Sequence, residues 1–340
     1  MSLIAIMFET QGGPVMKPNI IPIFFATDDN YLDYLLVTLA SLKDHVSKNN
    51  HYDLYILYDR ISFSNRKRVK AFEQDNITIK FVNVSLRAMR LGNNLGIRDY
   101  YTKTTYFRLL LPTLFPKLDK ILYLDCDIVI LEDVANLYNI DVGDNLIGAS
   151  PDYAVNSIDE FAQYVETALD LPKIRYFNAG IIIMNLKRMR ETFFEQRVIN
   201  LINTMTFMVA QDQDILNVIC KGKVQYFSWE WDAMPVGAEI KNPKLIHFNL
   251  IFKPWRMDGV LYEEHFWKYA KMAGVYEKIV AKKGIITPEQ NAKEWAELNN
   301  LKMGCLMETK NSEYYRTNIE KSKRSEEDLW ALQLQLQNID

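Results

Sequence analysis

Between Ile20 and Val84 the chain alternates apolar, strand-like runs with helical patterns, and this alternation narrows the fold more than any other feature. IIPIFFAT is a compact apolar run, and DNYLDYLLVTLASLKDHV repeats apolar residues at helical spacing. YDLYILY reads as a second strand, SNRKRVKAFEQD as a helix opened by a Ser64 cap, and ITIKFVNV as a third, alternating strand. Strands separated by helices of about ten to fifteen residues imply βαβ units and a mostly parallel sheet.

The pattern continues with a short helix in TTYFRLLLPTLF, a central strand in KILYLD, and strands in NLIGAS and AGIIIMNL (Ala179–Leu186). DILNVICKG reads as a helix closed by Gly222. From about Leu261 aromatics, lysines and glutamates fall at helical spacing, and from Pro288 to Asp340 no strand-like run occurs. The expectation is an α/β fold with a mixed, mostly parallel central sheet flanked by helices. An extension over residues 1–16, a sheet-bearing domain over 17–265 and a helical C-terminal region over 266–340 complete it. With 340 residues, 49% of them hydrophobic, the chain has ample material for such a core.

A net charge of −3 offers no general attraction to nucleic acid or acidic lipid. No apolar run reaches the roughly 18 residues of a membrane span, and MSLIAIMF lacks the basic flank of a secretion signal. Three cysteines without paired spacing suit a reducing compartment. The expected location is cytoplasmic, at most peripheral at the inner face of the membrane, with oligomer formation left open.

The stretch ILYLDCDIVI (Ile121–Ile130) interrupts apolar strand sequence with two carboxylates one residue apart. An ionised carboxylate is costly to remove from water unless it is paired or binds a metal. Side chains alternate along an extended chain, so Asp125 and Asp127 project together and Cys126 the other way. Acids past the carboxyl end of a parallel strand sit where open α/β sheets bind ligands. A divalent cation with phosphate oxygens in its shell would remove their repulsion; a helix-capping surface turn is the competing reading. Two chemistries use a strand-borne D-x-D: haloacid-dehalogenase-type phosphotransfer, and nucleotide-sugar glycosyl transfer. The phosphotransferase motif normally opens its domain, whereas in this chain a complete β-α-β-α-β run precedes it.

Other segments suit the second chemistry. The turn after the first strand carries Ala26, Thr27, Asp28, Asn30 and Tyr31, which offer acceptors, a ribose partner and a ring to stack on; taken alone, the segment reads better as a helix cap followed by a core Tyr. Arg108 is a single cation in an apolar helix, suited to a phosphate or to a carboxylate such as Asp125. Asn178 and Gly180 head a buried strand where a ligand can approach the backbone. Gln211, Asp212, Gln213 and Asp214 stack at a helix start, beyond what capping needs, and suit sugar hydroxyls. His247 offers a metal a third ligand and Lys253 offers diphosphate a counter-charge, although a lone His is usually structural.

Taken together, ATDDNY, TTYFRLLLP, LYLDCDIVI, YFNAGIIIMNLKR, QDQDILN and HFNLIFKPW resemble glycosyltransferase family 8. This is the retaining GT-A-fold group that includes bacterial lipopolysaccharide galactosyl- and glucosyltransferases and the glycogenins. The resemblance runs from about Ile20 to Trp255 and implies a GT-A, Rossmann-like sheet. It implies Mn²⁺ or Mg²⁺ on Asp125, Asp127 and His247, in a motif that includes Cys126. Uridine would lie on Ala26, Thr27, Asp28, Asn30 and Tyr31, and the diphosphate on Lys253. The donor sugar would meet Arg108, Asn178, Ala179, Asp212 and Gln213, with Gln213, Asp212 and Arg108 the catalytic candidates. The donor would be UDP-glucose or UDP-galactose, and the acceptor a carbohydrate, lipid-linked or protein-linked glycan. One departure stands out: family members often read H-x-x-G-x-x-K-P-W, and Leu250 replaces that glycine. Tyr226–Ile240, rich in aromatics between two donor motifs, is where an acceptor cleft is expected, although a Trp-rich stretch is more often core and Trp229 and Trp231 share a face.

Overall fold

The computed structural model describes residues 19–85 and 103–337, so the extension expected over residues 1–16 lies outside the described residues. The strands among the described residues are β1 (Asn19–Ala26), β2 (Asn50–Tyr58), β3 (Ile77–Asn83), β4 (Lys120–Leu124), β5 (Ile128–Ile130), β6 (Ile147–Pro151), β7 (Phe177–Asn185), β8 (Val224–Tyr226) and β9 (Leu245–His247). The α-helices of eight residues or more are α1 (Leu32–His45), α2 (Phe63–Lys70), α3 (Asp159–Thr167), α4 (Phe194–Thr204), α5 (Gln211–Ile219), α6 (Glu263–Met272), α7 (Tyr276–Lys283), α8 (Pro288–Lys310) and α9 (Ser312–Gln337).

Seven strands form one sheet in the order β3-β2-β1-β4-β7-β6-β8. The β3, β2, β1 and β4 neighbours are parallel, as their connecting helices require. Strand β7, which holds all of AGIIIMNL but its last residue, enters antiparallel between β4 and β6, and β6 pairs parallel with β8. The sheet is therefore mixed and mostly parallel, as expected. β7 is buried from Phe177 to Met184, as expected of a strand covered on both faces.

Helix α1 buries Leu32, Leu35, Leu36 and Leu39 at helical spacing against the sheet. Its polar interior is also used. The Thr38 hydroxyl lies 2.9 Å and 2.8 Å from the carbonyls of Cys126 and Ile128, and Ser41 Oγ accepts from the Ile130 amide at 2.9 Å. The acidic turn is thus fastened to α1.

One helix boundary differs from expectation. Helix α2 begins after Ser62, not Ser64: Ser62 holds the extended backbone of a cap and its hydroxyl accepts from the Asn65 amide. Ser64 already lies inside the first turn, where its backbone is helical.

The C-terminal helices pack onto the sheet-bearing body: α6 against α1, α8 against α3, and α9 against α4. Buried Asp33 of α1 receives Arg68 Nη2 at 2.8 Å and the ammonium groups of Lys278 and Lys282 at 2.9 and 3.0 Å. Cys126, Cys220 and Cys305 are buried and free of disulfides. Among the described residues no helix is long and apolar enough to cross a membrane.

Candidate active site

Strand β4 stops at Leu124, and the chain turns through Asp125, Cys126 and Asp127 into β5. Strand β5 pairs antiparallel with β9, setting Ile128 opposite His247. That pairing carries the imidazole to the acids across more than a hundred residues of chain. The Asp125 amide donates to the Gly180 carbonyl at 2.7 Å, and the Phe248 amide to the Asp127 carbonyl at 2.9 Å. Cys126 turns inward, its thiol 3.2 Å from the Ala26 carbonyl.

His247 Nε2 lies 3.5 Å from Asp127 Oδ1 and 4.0 Å from Asp125 Oδ2. One ligand atom from each of the three side chains falls within 4.8 Å of the others. On its other edge His247 Nδ1 lies 3.1 Å from the fully buried Asp232. A carboxylate behind the imidazole fixes its tautomer and leaves Nε2 for a metal. Two carboxylate oxygens and one imidazole nitrogen, all converging, suit Mn²⁺ or Mg²⁺. Space at this point is guarded by Gly180: a Cβ there would fall 2.5 Å from His247 Cε1 and 2.7 Å from Asp125 Oδ2.

Cationic side chains of the chain itself also face the two acids. Lys253 Nζ sits 2.5 Å from Asp127 Oδ2, and Arg108 Nη2 sits 3.1 Å from Asp125 Oδ1. Burial opposes charge on Asp127, yet Lys253 and His247 hold its pKa well below the carboxylate range. Burial likewise opposes charge on His247, while hydrogen bonds to Asp127 and Asp232 push its pKa up to about 10.

Arg108 reaches further than a single partner. Its Nη1 donates to the Ala179 carbonyl and its Nε lies 3.0 Å from Asp212. Burial raises the Asp212 pKa to about 7 even with that guanidinium beside it. Gln213 is held at both ends: Oε1 accepts from the Ala179 amide at 2.9 Å, and Nε2 donates to Asp152 Oδ2 at 2.9 Å. Asn178 also donates to that Asp152 oxygen, at 3.1 Å. Asp214 does not face the site. It accepts from the hydroxyls of Tyr164 and Tyr176 and from the Ala210 amide, anchoring the start of α5 from within the core.

In the turn after β1, Asp28 Oδ1 accepts from the amides of Asn30 and Tyr31, both at 2.9 Å, in a capping arrangement. The Tyr31 hydroxyl donates to Asp127 Oδ2 at 3.3 Å. A cavity of about 690 Å³ is lined by Ala26, Thr27, Asp28 and Tyr31 on one side and reaches Asp125, Asp127 and Lys253. A second cavity of about 220 Å³ holds Asn178, Ala179, Asp212 and Gln213, and the two share Arg108, Asp125, Asp127 and Lys253. Exposed Asn30 lines neither. Leu250, in the family's glycine position, has φ +52°, a left-handed backbone that favours glycine, and its side chain borders both cavities.

The expected acceptor cleft, Tyr226–Ile240, lines neither cavity. Trp231 is buried and the Trp229 indole donates to the Pro151 carbonyl at 2.7 Å, so the tryptophans hold structure. That segment instead contributes Asp232. Asp232 and Asp152 were not legible as site residues: each is a lone acid in ordinary sequence, and only the folded neighbours reveal it.

A family model described as "Glycosyl transferase family 8" matches residues 22–259. Over 265 residues the chain is 26% identical to General stress protein A of Bacillus subtilis, covering 70% of this chain and 88% of that protein. It is 23% identical over 267 residues to lipopolysaccharide 1,2-glucosyltransferase of Escherichia coli, covering 72% and 76% respectively. Among solved structures it is similar to the galactosyltransferase LgtC in complex with donor and acceptor sugar analogs, with a TM-score of 0.63 and 26% identity over 80% of this chain and 100% of that one.

Proposed function

The chain belongs to glycosyl transferase family 8, and from that premise we propose that it moves a hexose from UDP-glucose or UDP-galactose to an acceptor hydroxyl, with retention of the α configuration. The observation that carries this reading is the convergence of Asp125, Asp127 and His247 where a nucleoside-sized cavity meets a smaller, sugar-sized one. The acceptor would be a carbohydrate or a lipid- or protein-linked glycan; the glucosyltransferase and galactosyltransferase relatives support a glycan.

Asp125, Asp127 and His247 would hold Mn²⁺ or Mg²⁺, with Asp232 keeping Nε2 of His247 turned toward it. When bound, such a cation supplies Lewis acidity toward the departing UDP. Lys253, already within reach of Asp127, would exchange that partner for diphosphate oxygens. Asp28 and Tyr31 would meet the uridine, since both line the larger cavity beside the β1 turn. Arg108, Asn178, Ala179, Asp212 and Gln213 would surround the hexose.

The ties on Asp212 and Gln213 bear on mechanism. A double displacement wants a free carboxylate at the anomeric carbon. Asp212 is ion-paired with Arg108, and both ends of the Gln213 amide are engaged. A same-face transfer, with the leaving diphosphate helping to take the acceptor proton, fits this arrangement better.

The test is incubation with Mn²⁺ and a panel of UDP-sugars, followed by NMR of the product linkage. An α-linked hexoside from UDP-glucose or UDP-galactose is expected. A β-linked product would contradict retention, and no hydrolysis or transfer with any UDP-sugar would contradict enzymatic activity.

A further inference from the structure

The segment matched by the family model ends at residue 259, yet the cavities do not. Besides the β1 turn, the larger cavity is lined by Glu297, Leu298, Asn300 and Leu301 of α8. The smaller cavity is closed by Leu301 and Cys305 of the same helix. Glu294, Glu297, Leu298, Leu301 and Cys305 recur at helical spacing and share one face. A single helix therefore passes over the nucleoside end and then the sugar end of the site.

This helix is fixed in place at both ends of that face. Arg256 Nη2, three residues beyond Lys253, lies 2.7 Å from carboxylate oxygens of both Glu294 and Glu297. Lys302 Nζ lies 3.0 Å from Glu160 on α3, and Leu298 and Cys305 are buried beneath the helix. A Thr287–Gln290 capping box sets where it starts. Held this way, Leu301 borders both cavities, as Asp125 and Asp127 do, and exposed Asn300 borders the larger one.

We infer that α8 is the outer wall of the sugar-nucleotide site. Leu301 packs against the bound UDP-hexose where diphosphate gives way to sugar, and Asn300 presents its carboxamide to the nucleotide. Donor recognition in this chain thus depends on residues outside the segment that defines the family. The inference rests on the UDP-hexose reading above.

Calorimetric titration of the full chain with Mn²⁺ and either UDP-glucose or UDP-galactose tests it. Leu301→Trp and Leu301→Ala, one filling and one emptying the junction, should each weaken donor binding about tenfold, and Asn300→Ala about threefold. Met303→Ala, on the exposed side of the same helix, should bind as the wild type does. Thermal melts would confirm that each variant is folded. Unchanged donor affinity in both Leu301 variants and in Asn300→Ala would overturn the α8 wall while leaving the UDP-hexose reading intact. A wild type that binds neither donor would overturn both.

Discussion

Asp232 and His247 form a buried pair, carboxylate to Nδ1 at 3.1 Å, that turns the other imidazole nitrogen toward Asp125 and Asp127. Neither member works alone: the imidazole needs an oriented tautomer, and the buried acid needs a donor. Asp232→Ala is expected to lower Mn²⁺ affinity by about 10–100-fold, with Asp232→Asn recovering part through its side-chain oxygen. Mn²⁺ titration followed by electron paramagnetic resonance reads this directly, and wild-type affinity in Asp232→Ala would refute the orienting role.

Gly180 is the spacer of the same site. A single added methyl would stand 2.5 Å from His247 and 2.7 Å from Asp125, closer than packed atoms tolerate. Overpacking of this kind costs about 1–3 kcal/mol, and at this position it pushes apart the groups that would share a cation. Gly180→Ala should fold with a reduced Tm and bind Mn²⁺ at least about tenfold more weakly.

Asp33 links pH to the docking of the C-terminal helices. Burial would raise its pKa, but Lys278, Arg68 and Lys282 hold it down to about 2. A lowered folded-state pKa adds stability above the ordinary carboxylate pKa, and that stability is lost as pH falls through about 2. Asp33→Asn should therefore be less stable by about 2 kcal/mol at pH 7. The gap between variant and wild type, measured by urea denaturation, should narrow below pH 4 and approach its minimum near pH 2. A gap independent of pH would contradict this origin.

The start of α2 offers a local check. Ser62→Ala should cost about 1 kcal/mol, since it removes the cap, whereas Ser64→Ala should stay within about 0.5 kcal/mol of the wild type. Both serines precede the same basic run, and periodicity alone does not choose between them. The choice is tertiary: Asp29, in the turn after β1, accepts from the Ser62 amide and hydroxyl.

The same division runs through the whole site. Asp125, Asp127 and the inward Cys126 were legible because strand alternation is a local rule, and the acids interrupt it visibly. Arg108 stood out as a lone cation in an apolar helix and does pair with Asp125, whereas His247 and Gln213 gained weight mainly from their place in a familiar set of motifs. Asp232 and Asp152 act through partners that are distant in sequence, and no spacing announces them. In Tyr226–Ile240 the acid that reaches His247 is Asp232, which directly follows Trp231 in an ordinary aromatic stretch, and the cavity-lining residues of α8 are Glu, Leu, Asn and Cys at ordinary helical intervals. Leu250 shows the converse: the residue changed from the family pattern, yet the left-handed backbone there is one that favours glycine, a conformation that costs a branched side chain about 1–2 kcal/mol.

The most direct measurement is UDP release from UDP-glucose and UDP-galactose by the wild type, Asp125→Asn and Asp127→Asn, each with Mn²⁺ and with EDTA. Release by the wild type in Mn²⁺ is expected with at least one donor, falling about 100-fold or more in EDTA and in either variant. Release that is equal in EDTA, or undiminished in the two Asn variants, would contradict a metal-holding role for Asp125, Asp127 and His247.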